Sequence, residues 1–306
     1  MARSDEETCR IKELRRLLTE ANEAYYLKAE PVLSDGEFDR LLAELGQLEA
    51  RRPDLADPDS PTRVVGGGTI SGFKTVKHSQ PMLSIDNTYS VDDVRAWYER
   101  VLKALEGVEP ALCCDPKIDG VAVAIRYEQH TLELAVTRGD GVKGDDITAQ
   151  VRRIASIPLQ LPDDAPDRIE IRGEIFMPVD ALQRVNQERE HAGDDAFANA
   201  RNATAGTLKS LDTSVVSQRG LSCIVHGLGA APVDTFSSYS EFITRSGEWG
   251  LPVSDRVRQC PSIEDAISMI ESFGRERGDL PYGVDGMVLR VDRFDQQARL
   301  GATSKA

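Results

Sequence analysis

Residues 113–120, Cys113-Cys114-Asp115-Pro116-Lys117-Ile118-Asp119-Gly120, decide how this chain is read. One lysine stands between two aspartates, after Ala111-Leu112 and ahead of the apolar run from Val121 to Ile125. Proline donates no ladder hydrogen bond, so Pro116 reads as the end of an incoming strand. Gly120 permits a backbone geometry, or a close approach, that other residues resist. Together these features place Lys117 on a short loop between two buried strands, aimed into a cleft. A bare Lys-x-Asp-Gly also suits a strand-end lysine paired with Asp119, so the rest of the chain must decide.

Downstream, Val121 to Tyr127 and Thr131 to Arg138 are β-branched apolar runs separated by a short polar turn, the pattern of a hairpin. Gly139-Asp140-Gly141 breaks the second run, and a helix is expected from Asp145-Asp146 through Ile147, Val151 and Ile154. Arg168 to Met177 alternates as a strand and meets Pro178, a suitable first helical residue. His191 to Asp195 reads as loop and Asn199 to Leu211 as helix. A strand is expected at Leu221 to Val225, and helices at Tyr239 to Trp249 and Ile263 to Phe273. A last strand spans Val284 to Val291, with Gly286 inside it.

Upstream, Ile11, Leu14, Leu17, Leu18, Ala21 and Tyr25 follow helical spacing between Ser4 and Ala29. Ser34-Asp35-Gly36-Glu37 reads as a capping box opening a second helix through Phe38, Leu41, Leu42, Leu45 and Leu48. The stretch from Arg51 to Thr69, rich in proline and glycine, is a linker. A third helix follows Ser90. The fold class is therefore α+β and mostly antiparallel, with domains at 1–68 and 69–306.

The chain has 306 residues, enough for two domains, and no apolar run of transmembrane length. Its N-terminus lacks the apolar core of a signal peptide, which makes the cytoplasm the expected location. Five cysteines without a Cys-x-x-Cys argue against a disulfide framework and against a zinc site in this chain. A net charge of −14 gives no global basic footprint, so any nucleic-acid contact needs a local patch or parts of a longer protein.

A lysine attacks only as the free amine, and its ordinary pKa is about 10.4. Cations or desolvation lower that value. Four stretches offer partners: Arg138 in Thr137 to Gly141, Glu174 in Arg172-Gly173-Glu174, Arg201 in Phe197 to Asn202, and Asp285-Gly286-Met287-Val288-Leu289-Arg290. Each has a bland alternative as a surface charge or cross-strand pair. Together with Lys117 they supply cations for a phosphate and carboxylates for a ribose or Mg²⁺, the requirements of phosphoryl transfer.

This ordered set resembles the N-terminal part of the bacterial NAD⁺-dependent DNA ligases, over essentially the whole chain. Lys117-Ile118-Asp119-Gly120, Arg172-Gly173-Glu174 and Asp285-Gly286-Met287-Val288 resemble nucleotidyltransferase motifs. Pro81 to Asn87, Thr137 to Gly141 with Asp145-Asp146-Ile147-Thr148, and Phe197 to Leu211 resemble the NAD⁺-dependent branch. The resemblance implies an ATP-grasp-like ligase fold behind a small helical domain that binds nicotinamide mononucleotide (NMN). It implies that Lys117 attacks the α-phosphorus of NAD⁺, with Mg²⁺ or Mn²⁺, releasing NMN and leaving lysyl–AMP. In a longer enzyme that AMP serves to seal nicked duplex DNA in replication and repair.

By the same resemblance, Tyr25, Tyr26, Asp35, Gly36, Glu37, Phe38 and Asp39 hold NMN. Leu83, Ser84, Ile85 and Val288 line the nucleotide pocket, and Asp115 meets the adenine amino group. Arg138 and Glu174 hold the ribose, Arg201, Lys209 and Arg290 face phosphates, and His226 stacks on adenine. Several positions depart from the family's usual residues: Asp115 for Glu, Phe38 for Tyr, Lys209 for Arg and Arg290 for Lys. The last motif, with the OB-fold and a zinc-binding region, is expected beyond this chain, which reads as a monomeric fragment. The alternatives are an ATP-dependent covalent nucleotidyltransferase and a non-catalytic NAD or adenylate-binding module.

Overall fold

The computed structural model describes residues 2–24, 32–33, 35–55, 57, 60–62 and 72–302. In chain order the elements are α1 (Ala2–Glu23), α2 (Asp35–Arg51), β1 (Thr75–Lys77), α3 (Val91–Ala104), β2 (Leu112–Ile118), β3 (Val121–Glu128) and β4 (Thr131–Thr137). There follow β5 (Lys143–Asp145), α4 (Thr148–Val151), β6 (Arg168–Phe176), α5 (Val179–Ala192), α6 (Ala200–Leu208), α7 (Ser214–Arg219) and β7 (Ser222–Ala230). The chain continues through α8 (Tyr239–Glu248), β8 (Arg258–Cys260), α9 (Ile263–Glu276), β9 (Val284–Val291) and α10 (Phe294–Leu300). Helices thus flank antiparallel sheets, the α+β class read from the sequence. The chain forms two compact units, one of Met1–Ser84 with Arg138–Asp145 and one of Ile85–Thr137 with Asp146–Ala306.

In the first unit, Ile11, Leu14 and Leu18 of α1 pack on Leu45 and Leu48 of α2, with Phe38, Leu41 and Leu42 alongside. Burying these leucines supplies most of the hairpin's stability, on the order of 1.5–3 kcal/mol each. Arg15 crosses between the helices and donates to Glu49 at 2.8 and 2.6 Å, while Ser60 and Thr62 also donate to Glu49. Burial pushes the Glu49 carboxyl up, but the Ser60, Thr62 and Arg15 hydrogen bonds outweigh it and hold the group below its ordinary range. A carboxyl depressed in the folded state stabilises above its unfolded value and loses that contribution as pH falls through the folded one. Glu49→Gln is therefore expected to cost about 2–3 kcal/mol at pH 7. Thermal melts should show the gap to the parent closing as pH falls below 4.5, the ordinary value for this side chain.

The same unit holds a two-stranded ribbon of β1 and β5, with Val76 opposite Gly144. The helix expected from Asp145 is shorter than its sequence suggests, because Lys143–Asp145 is committed to this ribbon. Asp146 accepts from the Thr148 amide and hydroxyl, starting a single turn. Beyond Val151 the hydrogen bonds tighten to three-residue spacing at Arg153 and Ile154, and α4 ends.

The second unit contains two sheets, ordered β8-β2-β9 and β4-β3-β6-β7. Leu112, Cys114, Cys260 and Val291, from one face of the first sheet, pack against Tyr98, Val101 and Leu105 around α3 and Ala266 of α9. The opposite face carries Cys113, Asp115 and Lys117 on β2 and Arg290, Val288 and Gly286 on β9, which pair in that order. Four cysteines are buried and only Cys9 is exposed. Burial drives the thiols of Cys113, Cys114, Cys223 and Cys260 upward. Among the described residues no helix is long and apolar enough to cross a membrane.

Candidate functional site

Lys117 is not on a loop. It lies within β2, and so does Pro116, opposite Met287 of β9. β8 pairs only with Leu112, Cys113 and Cys114, so past Cys114 the strand is paired on one side alone. A sheet edge tolerates a residue without an N–H, which is why Pro116 does not end the strand.

The register shifts beside the lysine: Lys117 faces Gly286 whereas Ile118 faces Val284, leaving Asp285 as the extra residue of a bulge. Such bulges re-aim side chains. Here the Lys117 ammonium donates to Asp285 Oδ2 at 2.6 Å. Gly286 has φ +143°, a conformation that side-chain-bearing residues rarely adopt, so the bulge depends on glycine there. Both members of the pair remain about one third exposed, Lys117 at 34% and Asp285 at 31%.

Asp119 follows, its amide donating to Gly283 O at 3.0 Å and its carboxylate accepting from Arg201 at 3.2 Å. Burial and the neighbouring Asp285 charge push the Asp119 carboxyl above its usual range, and Arg201 opposes them. Arg201 comes from α6, whose first turn is capped by the Asn199 side chain accepting from the Asn202 amide. Gly120 lets the chain pass from β2 to β3: a Cβ there would meet Ile175 O at 2.1 Å and Glu174 Cγ at 3.0 Å.

Further along the same face, Asp115 is almost fully buried. Arg290 grips it with two parallel hydrogen bonds, Nε to Oδ1 and Nη2 to Oδ2, each 3.1 Å. A third bond runs from Arg290 Nη1 to His226 O at 3.2 Å, and the guanidinium lies 4.0 Å from the ring centroid of Tyr239. Burial drives the Asp115 carboxyl upward, with Arg290 and His226 opposing. Glu174 of β6 sits opposite Ala122 of β3 and Ile224 of β7, with the His226 ring 3.7 Å from its carboxylate. Val288 faces Asp115, and Lys209 caps α6 at its C-terminal end, half-buried.

The second unit thus brings Lys117 together with Asp285, Asp119 and Arg201, and Asp115 together with Arg290, His226 and Tyr239. Arg290, expected at a phosphate, has its guanidinium engaged at Asp115, four positions along β9 from the glycine facing Lys117. Asp119, Asp285 and Tyr239 are site neighbours that the candidate residues omitted. The Asp-Gly of residues 285–286 was visible inside a strand, where a glycine signals a bulge. Nothing in the sequence ties Tyr239 to Arg290.

In the first unit Arg138 Nη1 lies 3.4 Å from Ser84 Oγ, and the Arg138 carbonyl contacts the His78 ring. Leu83 is exposed there, and Ile85, in the second unit, is exposed too. Tyr25, Tyr26 and Ser34 lie outside the described residues, as do the side chains of Asp35 and Asp39 and the conformational detail of Gly36. Glu37 is exposed on α2, while Phe38 packs on the helical core. Among the described residues no group of three or more His, Cys, Asp or Glu side chains could hold a metal ion.

A lysine on a bulged strand, between carboxylates and an arginine, coincides with the sequence relationships of the chain. The family model of the NAD-dependent DNA ligase adenylation domain matches residues 70–306, and the chain belongs to that family. The DNA ligase-like, N-terminal NAD+-binding domain matches residues 4–66. The DNA ligase of Trichlorobacter lovleyi is 42% identical over 301 residues, covering 97% of this chain and 44% of that protein. The DNA ligase of Thermotoga maritima is 44% identical over 299 residues, covering 97% and 43%. The chain therefore spans less than half the length of these relatives.

Proposed function

We propose that this chain performs the first step of NAD⁺-dependent DNA ligation, the transfer of AMP to its own Lys117. The observation that carries this reading is the surroundings of Lys117, partly exposed and paired to Asp285 on a bulge, in a chain of the NAD-dependent adenylation family. The Nζ–P bond forms at the α-phosphorus of NAD⁺ as the bond from that phosphorus to the bridging oxygen breaks, and NMN leaves with that oxygen. The amine must shed a proton before attack, so its hydrogen bond to Asp285 has to break or carry the proton away. A second proton leaves the nitrogen as the phosphoramide forms.

Asp119 and Arg201 flank the nucleophile, and the arginine offers charge for the reacting phosphate. Asp115 takes the adenine amino group, His226 stacks on the base, and Glu174, with Arg138, holds the ribose. Lys209 faces phosphate, and Leu83, Ser84, Ile85 and Val288 line the pocket. Residues 1–68 form the NMN-binding domain, through Tyr25, Tyr26, Asp35, Gly36, Glu37, Phe38 and Asp39, and residues 69–306 the nucleotidyltransferase domain.

The oxygen donors here suit a hard cation, and Mg²⁺ typically binds through one or two carboxylates plus substrate phosphates rather than an all-protein cage. Glu174 is the carboxylate that would help to hold it beside the ribose, and the ion would supply charge neutralisation at the phosphate. In a longer protein the AMP would pass to the 5′-phosphate of a DNA nick and be displaced by the 3′-hydroxyl, in the cytoplasm. The family match favours neither the ATP-dependent nor the non-catalytic alternative.

Intact-protein mass spectrometry after incubation with NAD⁺ and Mg²⁺ tests this. A mass gain of one AMP, mapped to the peptide holding Lys117, is the expected result. No gain, or a gain on another residue, would overturn it.

A further inference from the structure

Arg290 and Asp115 are 175 positions apart in sequence, yet their side chains interlock more completely than any other pair on the site face of β2 and β9. The guanidinium is held from three directions: the carboxylate fork, the carbonyl of His226 and the ring of Tyr239 beneath it. Its charge is neutralised by Asp115, which leaves it poorly suited to a phosphate. The two parallel bonds of a fork take one lone pair from each carboxylate oxygen and the Tyr239 hydroxyl stands against the same group, so a lone pair is still left to accept from a ligand. The stacked, forked geometry is specific to arginine, because a lysine is a single point donor that neither forks nor stacks in this way.

We propose that Arg290 is a positioning residue that acts through Asp115: clamped on Tyr239, it fixes the carboxylate that receives the exocyclic amino group of the nucleotide's base, and it contributes no phosphate contact. This rests on the adenylylation reading above. Residues 115 and 290 are then one unit, and their side chains can be exchanged together but not singly. Asp115→Glu alone drives the carboxylate one methylene into the fork. Arg290→Lys alone removes the fork and the stack. The double replacement pairs a longer carboxylate with a compact ammonium and restores an orienting contact.

The test is equilibrium binding by calorimetry in a Lys117→Ala background, where no adduct forms. The two ligands are NAD⁺ and its hypoxanthine analogue, in which a carbonyl replaces the amino group. With residues 115 and 290 intact, NAD⁺ should bind roughly tenfold more tightly than the analogue, the loss expected for one hydrogen bond to a charged group. Arg290→Lys should erase that ratio, and adding Asp115→Glu should restore most of it. A phosphate-binding Arg290 would instead weaken both ligands equally with the ratio unchanged, and that result overturns the proposal. So does a double variant whose losses are the sum of the two singles, or failure of both ligands to bind. Adduct formation by the parent chain reports separately on the adenylylation reading, so binding discrimination without an adduct would sink that reading alone.

Discussion

Gly120→Ala should destabilise the second unit by about 3–5 kcal/mol and abolish AMP transfer. The added methyl has nowhere to go: its position lies 2.1 Å from the Ile175 carbonyl oxygen and 3.0 Å from Glu174 Cγ. Overpacking typically costs about 1–3 kcal/mol when neighbouring side chains yield. Here the nearest obstacle is the backbone of β6, held on both sides by β3 and β7, so a larger value is expected. Either β2 is pushed away from Ile175, which displaces Lys117 three residues upstream, or β6 shifts and takes Glu174 with it. Urea titration gives the stability and intact mass gives the adduct. An unchanged unfolding midpoint with normal adduct would show that the β2–β3 junction relaxes without cost.

Lys117→Ala should lose the adduct completely while the protein stays folded. The side chain is one third exposed and Asp285, to which it donates, is a similarly exposed carboxylate, so truncation leaves no deeply buried unpaired charge. A stability change within about 1 kcal/mol is expected, the usual range for such a pair. Any AMP-bearing peptide in this variant would identify another nucleophile. A large drop in melting temperature would show that the lysine is structural.

The sequence made the periodic parts of this molecule legible. β3 and β4, β6, α8 and β9 stand close to where their apolar spacing placed them, because each is long enough to declare a period. The pieces that escaped notice, β1, β5, β8, α7 and α10, are three to seven residues long and owe their shape to partners rather than to their own composition. Pro116 misled for a related reason. Proline interrupts a strand only where the missing donor was needed, and whether β8 reaches that far is a tertiary fact. The lysine motif and its neighbours Arg201 and Glu174 were recognisable as residues, whereas the partner of Arg290 was not. The contact with Asp115 exists only because β2 and β9 are antiparallel neighbours, and Tyr239 reaches the same guanidinium from the start of α8.

The burial of the cysteines has a consequence for anyone handling the protein. Cys113 and Cys114 lie on the nucleophile's own strand, but their sulfurs, like those of Cys223 and Cys260, are sealed from solvent and kept in the poorly reactive thiol form. The one accessible sulfur belongs to Cys9 on the first helix. A maleimide dye added to the unmodified chain thus finds a single address, in the helical hairpin, and no cysteine need be removed to place it there.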